Sequence, residues 1–97
     1  MYSLVIPVYK NEESLPDLLD VLAGMNSSLG GNLEVVIVVD GSPDNCYEIL
    51  RARLPKMPFR SQLLLHSRNY GSFAAIRVGM QVANGDFFAV MAADLQE

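Results

Sequence analysis

The 97-residue chain alternates between short apolar runs and stretches with helical spacing. Four runs have the length and β-branched content of strands, and they cover residues 3–8, 33–39, 62–66 and 87–92. The second run is almost wholly apolar, as expected of a strand buried on both faces. Strands that alternate with helices predict an α/β, doubly wound, Rossmann-like fold, in which a parallel sheet is covered by helices and the crossovers are right-handed.

Three helices are predicted between these strands. The first begins at an N-cap serine, Ser14, and its inward face is a leucine pattern at i, i+3, i+4 and i+7: Leu15, Leu18, Leu19 and Leu22. The second follows Pro43 and ends at Pro55, with an inward face of Cys46, Ile49, Leu50 and the stem of Arg53. The third covers residues 72–83, with an expected inward face of Phe73, Ile76 and Met80. The Gly-, Ser- and Asn-rich range 24–32 predicts a loop.

Composition and charge narrow the range of functions. The chain is 51% hydrophobic and only 19% charged, so a folded domain is expected. Its net charge of -4 argues against a nucleic-acid partner, because such proteins usually carry a basic stripe. Cys46 is the only cysteine, so no internal disulfide can form. No apolar run approaches the roughly 20 residues of a membrane span, and Met1 leads almost directly into the first strand, so no signal peptide is predicted.

Polar residues follow every predicted strand. In a parallel sheet the carboxyl ends of all strands lie along one edge, and ligands bind there. The residues at these ends come from four segments: Tyr9 to Glu13, Asp40 to Asp44, then His66, Arg68 and Asn69, and finally Asp94 and Gln96. We therefore expect the four segments to converge on one crevice.

The acidic character of this crevice indicates how it would bind a ligand. Neither glycine-rich phosphate loop, G-x-G-x-x-G or G-x-x-x-x-G-K-S/T, is present. An acidic crevice needs a hard divalent cation to hold a diphosphate, and the oxygen ligands of Asp94 and Gln96 suit Mg²⁺ or Mn²⁺. A nucleotide diphosphate is therefore favoured over a dinucleotide. The missing glycines argue against a dehydrogenase. A receiver domain would need acidic residues where this chain has Pro-Val-Tyr and His-Ser-Arg.

Four segments, in this order, resemble motifs of the family 2 glycosyltransferases of GT-A fold. Residues 6–13 read IPVYKNEE and resemble I-P-x-Y-N-E-E, and residues 39–44 read VDGSPD and resemble V-D-D-G-S-x-D. Residues 67–71 read SRNYG and resemble S-R-N-x-G, and residues 90–96 read VMAADLQ and resemble V-M-D-A-D-L-Q. The S-P-D and D-L-Q variants are similar to those of the branch that makes dolichyl- or polyprenyl-phosphate sugars.

The resemblance implies roles for the matching residues. With the backbone of Val38, three side chains would line the base and ribose pocket: Pro7, Tyr9 and Glu12. Asp40 would accept a hydrogen bond from the base, and Arg68 would lie near the crevice. Beside Ala93, the divalent cation on the diphosphate would be coordinated by Asp94 and Gln96. The implied reaction transfers a sugar from a nucleotide diphosphate sugar to an acceptor, with polyprenyl phosphate as the candidate.

Two departures from the family motifs leave a second interpretation open. The first of the paired aspartates after strand two is Val39, and the first carboxylate of the D-x-D motif is replaced by Ala92. A cation that prefers several hard oxygens loses one charged ligand there. The alternative is a non-catalytic nucleotide-binding or regulatory relative. Lys10 also lengthens the spacing between the motif's tyrosine and glutamate, so the matched position is either Asn11 or Glu12.

The resemblance also implies that the chain is part of a larger domain. Residues 1–97 would be its nucleotide-sugar-binding half, and the acceptor site and catalytic base would follow Glu97. We therefore expect no glycosyl transfer by the chain alone. The implied location is the cytoplasm, at the cytoplasmic face of a membrane. The implied strand order, 3-2-1-4, would leave residues 87–92 at an uncovered edge, so we expect the isolated chain to self-associate.

Overall fold

A computed structural model describes residues 1–93, and within them strands and helices alternate in the predicted βαβαβαβ order. The strands are β1 (Tyr2–Val8), β2 (Leu33–Asp40), β3 (Arg60–His66) and β4 (Phe87–Val90). The helices are α1 (Leu15–Ser28), α2 (Cys46–Arg53) and α3 (Ser72–Val82). Two short 3₁₀ turns precede α1 and follow α2: Glu12–Ser14 and Leu54–Lys56.

The strands form one sheet in which every pairing is parallel. The strand order is β3-β2-β1-β4, which confirms the predicted order. All eight residues of β2 are buried, because strands pair with both its edges and helices cover both its faces. By contrast, all four residues of β4 are exposed. The centre of the sheet is therefore the core of the domain.

The two faces of the sheet carry different helices. Even-numbered residues of β1 and odd-numbered residues of β2 pack with the leucines of α1 and the inner face of α2. On the opposite face, Val5 and Val38 pack against Ala75 of α3. Helix α3 lies close to the sheet at Gly79, where an added Cβ would come within 2.5 Å of Val5 Cγ1. Helices on both faces confirm the predicted doubly wound architecture.

The loop predicted for residues 24–32 is wrong in its first half, because α1 continues to Ser28. The low helix propensity of residues 24–28 is overridden by contacts made after folding. Asn26 is buried, and its Oδ1 accepts the N–H of Leu33 at 3.3 Å. The chain leaves the helix at Gly30, whose φ of 67° lies in the left-handed region that favours glycine.

The inward face predicted for α3 is also wrong. Phe73 is 88% exposed and Met80 is 45% exposed, whereas Ala75 and Gly79 are the buried residues of the helix. Small residues let the helix backbone approach the sheet, and the large side chains are left at the surface. Only Ile76 of the predicted set is half-buried.

Two strand boundaries differ from the prediction by two residues. Strand β3 begins at Arg60 rather than at residue 62, and β4 ends at Val90 rather than at residue 92. Met91 still donates its N–H to Val5 O at 3.1 Å, so the backbone follows β1 slightly beyond β4. This continuation carries the segment after β4 towards the carboxyl edge of the sheet.

Candidate functional site

An open pocket of about 320 Å³ lies at the carboxyl edge of the sheet, beside the ends of β1 and β2. It is bordered by the ends of β1 and β2, the loop before α3 and the segment after β4. The lining residues are Pro7, Val8, Tyr9, Asn11, Asp40, Asn69, Gly71, Ser72, Ala92 and Ala93. Three of the four segments expected to converge therefore contribute to one pocket, which Ala92 and Ala93, just before the fourth segment, also border.

Among residues 1–93, Asp40 is the only acidic residue that lines this pocket, and it is just 3% exposed. Its Oδ1 accepts the N–H of Tyr70 at 3.0 Å and lies 2.9 Å from His66 Nδ1, while its Oδ2 accepts the N–H of Gly71 at 2.9 Å. Burial would raise the pKa of Asp40, but these hydrogen bonds outweigh burial and hold the pKa below its ordinary value. The ionised carboxylate lies at the N-terminal end of α3, where the helix dipole favours negative charge.

The turn after Asp40 requires glycine. Gly41 has a φ of 67°, which residues with a side chain rarely adopt. A Cβ at Gly41 would also overlap the backbone of Arg68 and Asn69. The turn after β2 thus packs backbone against backbone on the loop after β3, and this contact helps to fix one wall of the pocket.

The turn after β1 and the loop after β2 are held together by reciprocal hydrogen bonds. Lys10 donates its N–H to Ser42 Oγ at 2.8 Å, and Glu12 donates its N–H to Asp44 Oδ2 at 3.3 Å. Asn45 donates its N–H back to Glu12 Oε1 at 2.9 Å. Burial would raise the pKa of Asp44, but hydrogen bonds, including those from Ser42 and Glu12, lower it overall. These bonds fix the turn that presents Tyr9 to the pocket.

Four predicted site residues line the pocket: Pro7, Tyr9, Asp40 and Ala93. Three others lie outside it. The side chain of Val38 is fully buried on the α3 face, and the carboxylate of Glu12 bonds to Asn45. Arg68 is exposed, with its guanidinium carbon 5.2 Å from the centroid of the Tyr70 ring.

Several residues in or beside the pocket have no role assigned by the family resemblance. Asn11, rather than Glu12, borders the pocket, and its Oδ1 accepts the N–H of Tyr9 at 2.9 Å. Gly71 and its neighbours line the wall, although they lie within the S-R-N-x-G motif that could have indicated them. His66 contacts Asp40, and the available signal was its place at the end of a strand adjacent to β2.

The predicted metal ligands, Asp94 and Gln96, lie outside the described residues. Within residues 1–93 no group of three or more His, Cys, Asp or Glu side chains could hold a metal ion. Ala92 and Ala93 border the pocket without supplying a carboxylate. The described part of the chain therefore does not form a metal site by itself. No reaction step that uses a cation can be derived from these residues.

The motif segments around the pocket match a known family along almost the whole chain. The sequence profile described as "Glycosyl transferase family 2" matches residues 3–97. The chain belongs to this family. This confirms the family resemblance of the sequence.

The relatives of this family 2 chain include polyprenyl-phosphate sugar transferases. It is 41% identical over 96 residues to the undecaprenyl-phosphate 4-deoxy-4-formamido-L-arabinose transferase of Pseudomonas paraeruginosa, covering 99% of the chain and 28% of that relative. The transferase of the same name from Aeromonas hydrophila is 40% identical over 96 residues, with 99% and 29% covered. The names agree with the predicted branch, and the chain spans less than a third of either relative.

Solved structures share the fold of this chain. The structure of TarS residues 1–349 from S. aureus matches with a TM-score of 0.81 and 25% identity, over 96% of this chain and 27% of that one. The mannosyltransferase PcManGT from Pyrobaculum calidifontis, in complex with GDP-Man and Mn²⁺, matches with a TM-score of 0.86 and 20% identity, over 96% and 27%. These similarities confirm the predicted GT-A fold.

Proposed function

We propose that residues 1–97 form the nucleotide-sugar-binding half of a GT-A glycosyltransferase that transfers a sugar from a nucleotide diphosphate sugar to polyprenyl phosphate. The observation that carries the proposal is the pocket at the carboxyl edge of the sheet, which family motif segments border on several sides. Open parallel sheets bind their ligands at this edge. Because the chain spans less than a third of its relatives, transfer itself is proposed for a protein of their length.

Tyr9 and Asp40 are the proposed base-binding residues. Tyr9 is 40% exposed at the pocket, so its ring is available for stacking on a base beside Pro7. A carboxylate has about four acceptor positions, and Asp40 uses three of them within the protein. The remaining position would accept an N–H group of the base. Glu12 and Arg68 would then act on the pocket from outside, through the loops that they contact.

A divalent cation, Mg²⁺ or Mn²⁺, is proposed to complete the donor site, held by Asp94 and Gln96. When bound, the cation would stabilise negative charge on the departing diphosphate. Proteins of the same fold hold ligands of this class: TarS has been solved with UDP and with UDP-GlcNAc, and PcManGT with GDP-Man and Mn²⁺. The residues that line the pocket would orient the base, and the diphosphate and sugar attached to the base would be positioned with it.

The acceptor and location are proposed from the relatives' names. Both relatives are named as undecaprenyl-phosphate 4-deoxy-4-formamido-L-arabinose transferases. Undecaprenyl phosphate is a polyprenyl phosphate, whose long apolar chain favours a membrane. We therefore propose that the whole protein acts at the cytoplasmic face of a membrane. Within residues 1–93 no helix has both the length and the apolar character needed to cross a bilayer.

Equilibrium titration with UDP and with GDP, each in the presence of Mn²⁺, tests the donor pocket. Tyr2 is the first residue of β1, Tyr9 directly follows its last, and the two are similarly exposed, at 42% and 40%, so Tyr2→Ala is a matched control for Tyr9→Ala. Stacking of a base on an aromatic ring contributes about 1–3 kcal/mol, so Tyr9→Ala should raise the dissociation constant roughly 5- to 160-fold. Asp40→Ala should abolish binding, with its folding checked by circular dichroism. Equal weakening by Tyr9→Ala and Tyr2→Ala would contradict the assignment.

The motif departures favour the second candidate, a non-catalytic nucleotide-binding relative. Val39 and Ala92 stand where the family motifs carry aspartates. If the cation is used, Ala92→Asp should tighten Mn²⁺ binding on the order of tenfold, because another charged oxygen joins the ligands. Ala52→Asp, on the exposed side of α2, controls for added charge. Unaltered Mn²⁺ affinity in Ala92→Asp would favour the non-catalytic relative.

Self-association of the isolated chain is proposed through β4. Among the described strands β4 pairs only with β1, and its residues include Phe87 and Val90, which are 62% and 50% exposed. Such an edge is a template for another strand, and a second copy could pair with it across a two-fold axis. Sedimentation should show association at high concentration, and Val90→Lys should favour the monomer. A stable monomer of the unmodified chain at high concentration would contradict the proposal.

A further inference from the structure

His66 contacts the pocket's carboxylate but has no part in the roles proposed so far. It is the last residue of β3 and pairs in register with Asp40, the last residue of β2. Its Nδ1 lies 2.9 Å from Asp40 Oδ1, and its ring meets the Tyr70 ring edge-on, with the centroids 5.2 Å apart. The His66 side chain is 16% exposed, so its ring is held by these contacts while part of it still meets solvent.

The proton between His66 and Asp40 belongs to the imidazole. Asp40 accepts the N–H groups of Tyr70 and Gly71, as an ionised carboxylate does. An ionised carboxylate has no proton to donate, so Nδ1 of His66 must carry the hydrogen. Nε2 is then the nitrogen at which the ring gains or loses a proton. The contact is already a hydrogen bond to an ionised acceptor, and gain of that proton makes it an ion pair of opposite charges, which strengthens it further.

Asp40 connects the His66 ring to the backbone that borders the pocket. The same carboxylate holds the backbone of Tyr70 and Gly71, and residues 69, 71 and 72 line the pocket. Among residues 1–93, the ring contacts Asp40 from β2 and Tyr70 from the loop before α3. The guanidinium carbon of Arg68 lies 5.2 Å from the centroid of the Tyr70 ring.

We propose that His66 is a positioning residue of the nucleotide pocket. Through Asp40 it holds the wall formed by residues 69–72, and protonation of its ring tightens that wall. The identity of the ligand rests on the proposed function, whereas the effect of His66 on the hydrogen bonding of residues 69–72 does not. Two measurements on the 97-residue chain therefore separate the two proposals.

The first measurement is amide hydrogen exchange by NMR in the wild type, His66→Leu and His66→Asn. The leucine variant has no donor, so protection of the Tyr70 and Gly71 amides should fall about tenfold. The asparagine variant has an amide donor near the Nδ1 position and should restore protection. The internal control is the Asn84 amide, which donates to Glu34 at 2.8 Å and should be unchanged.

The pH dependence separates positioning from simple packing. After correction for intrinsic exchange, wild-type protection of Tyr70 and Gly71 should rise on acidification, with the midpoint of the His66 ring resonances. Both variants should be flat over this range. Equal protection in all three proteins, a wild-type profile without that midpoint, or an equal loss at Asn84 would overturn the proposal.

The second measurement is UDP binding in the presence of Mn²⁺ across the same pH range. His66→Leu serves as the reference for titration of the nucleotide itself. Relative to it, the wild type should bind several-fold more tightly, and its advantage should grow as pH falls through the His66 midpoint. Equal affinities at every pH would overturn the positioning role. Failure of UDP to bind any of the proteins would contradict the proposed ligand, while the exchange data would still decide the behaviour of the wall.

Discussion

Strand β2 carries a buried carboxylate near each end, and the two carboxylates differ in their surroundings. Glu34 is 4% exposed and Asp40 is 3% exposed, and both project from the face that α3 covers. Asp40 accepts the N–H of Gly71, which precedes α3, and Glu34 accepts the N–H of Asn84, which follows it. Two carboxylates of one strand therefore attach both ends of one helix to the sheet.

The two carboxylates differ in their remaining capacity to accept hydrogen bonds. Glu34 accepts four, from Ser3 Oγ, Gln62 Nε2, and the backbone and side-chain nitrogens of Asn84, at 2.7–3.1 Å. This uses all of the roughly four acceptor positions of a carboxylate. Asp40 accepts three and borders an open pocket. A buried, ionised carboxylate is thus a candidate binding group only where acceptor capacity and a cavity coincide.

The helix dipole accounts for part of this difference. Asp40 lies at the N-terminal end of α3, where negative charge is stabilised, and Glu34 lies near the C-terminal end, where it is disfavoured. Glu34 therefore depends more heavily on its hydrogen bonds. Burial would raise the pKa of Glu34, but hydrogen bonds from Asn84, Ser3 and Gln62 outweigh burial and lower the pKa below 4.5.

The largest expected effect is a loss of stability in Glu34→Ala. The substitution leaves the donors of Ser3, Gln62 and Asn84 without their acceptor in a largely buried place. Each unsatisfied buried donor costs about 1–3 kcal/mol, and the donors nearest the surface recover water, so we expect a loss of about 3 kcal/mol. Denaturant-induced unfolding measures the change in the free energy of unfolding.

Glu48→Ala is the control for this prediction, because Glu48 lies exposed on α2. Its free energy of unfolding should stay within about 0.5 kcal/mol of the wild type. Glu34→Ala should also keep its UDP affinity under conditions in which it remains folded. The proposal is that Glu34 stabilises the fold while Asp40 binds the ligand. A loss smaller than that of the control, or a folded Glu34→Ala protein that no longer binds UDP, would contradict it.

The central architecture could be predicted because it depends on local patterns. Apolar runs separated by helical spacing indicate a parallel sheet, and the run 33–39 indicates a strand buried on both faces. The site could be located because parallel strands end at one edge, and the motif segments there include Pro7, Tyr9 and Asp40. The order of the strands came from the family resemblance, since alternation alone does not define it.

What could not be predicted depends on contacts between distant parts of the chain. The acceptor role of Glu34 requires donors that lie 28 to 50 residues away from it. The inner face of α3 is formed by Ala75 and Gly79, and a hydrophobic pattern gives more weight to larger neighbours such as Phe73. The sequence places His66 among the polar residues that follow strands, and its bond to Asp40 becomes visible only in the register of β2 with β3.

A smaller loss of stability is expected when the pH is lowered. Its pH dependence reports separately on the carboxylates near the two ends of β2. Glu34 and Asp40 both have a pKa lowered from the ordinary values of 4.5 and 3.8. A carboxyl group whose pKa is lower in the folded state contributes stability above its unfolded pKa, and this contribution disappears as pH falls through the folded pKa. The free energy of unfolding should therefore decline below about pH 4.5 and continue to fall at more acidic pH. Glu34→Ala and Asp40→Ala should each show a shallower decline than the wild type, and Glu48→Ala should follow the wild type.

Parallel profiles for the wild type and Glu34→Ala would mean that Glu34 is not held ionised by its four donors. That result would contradict the contrast between Glu34, whose acceptor positions are all used, and Asp40, which has one left.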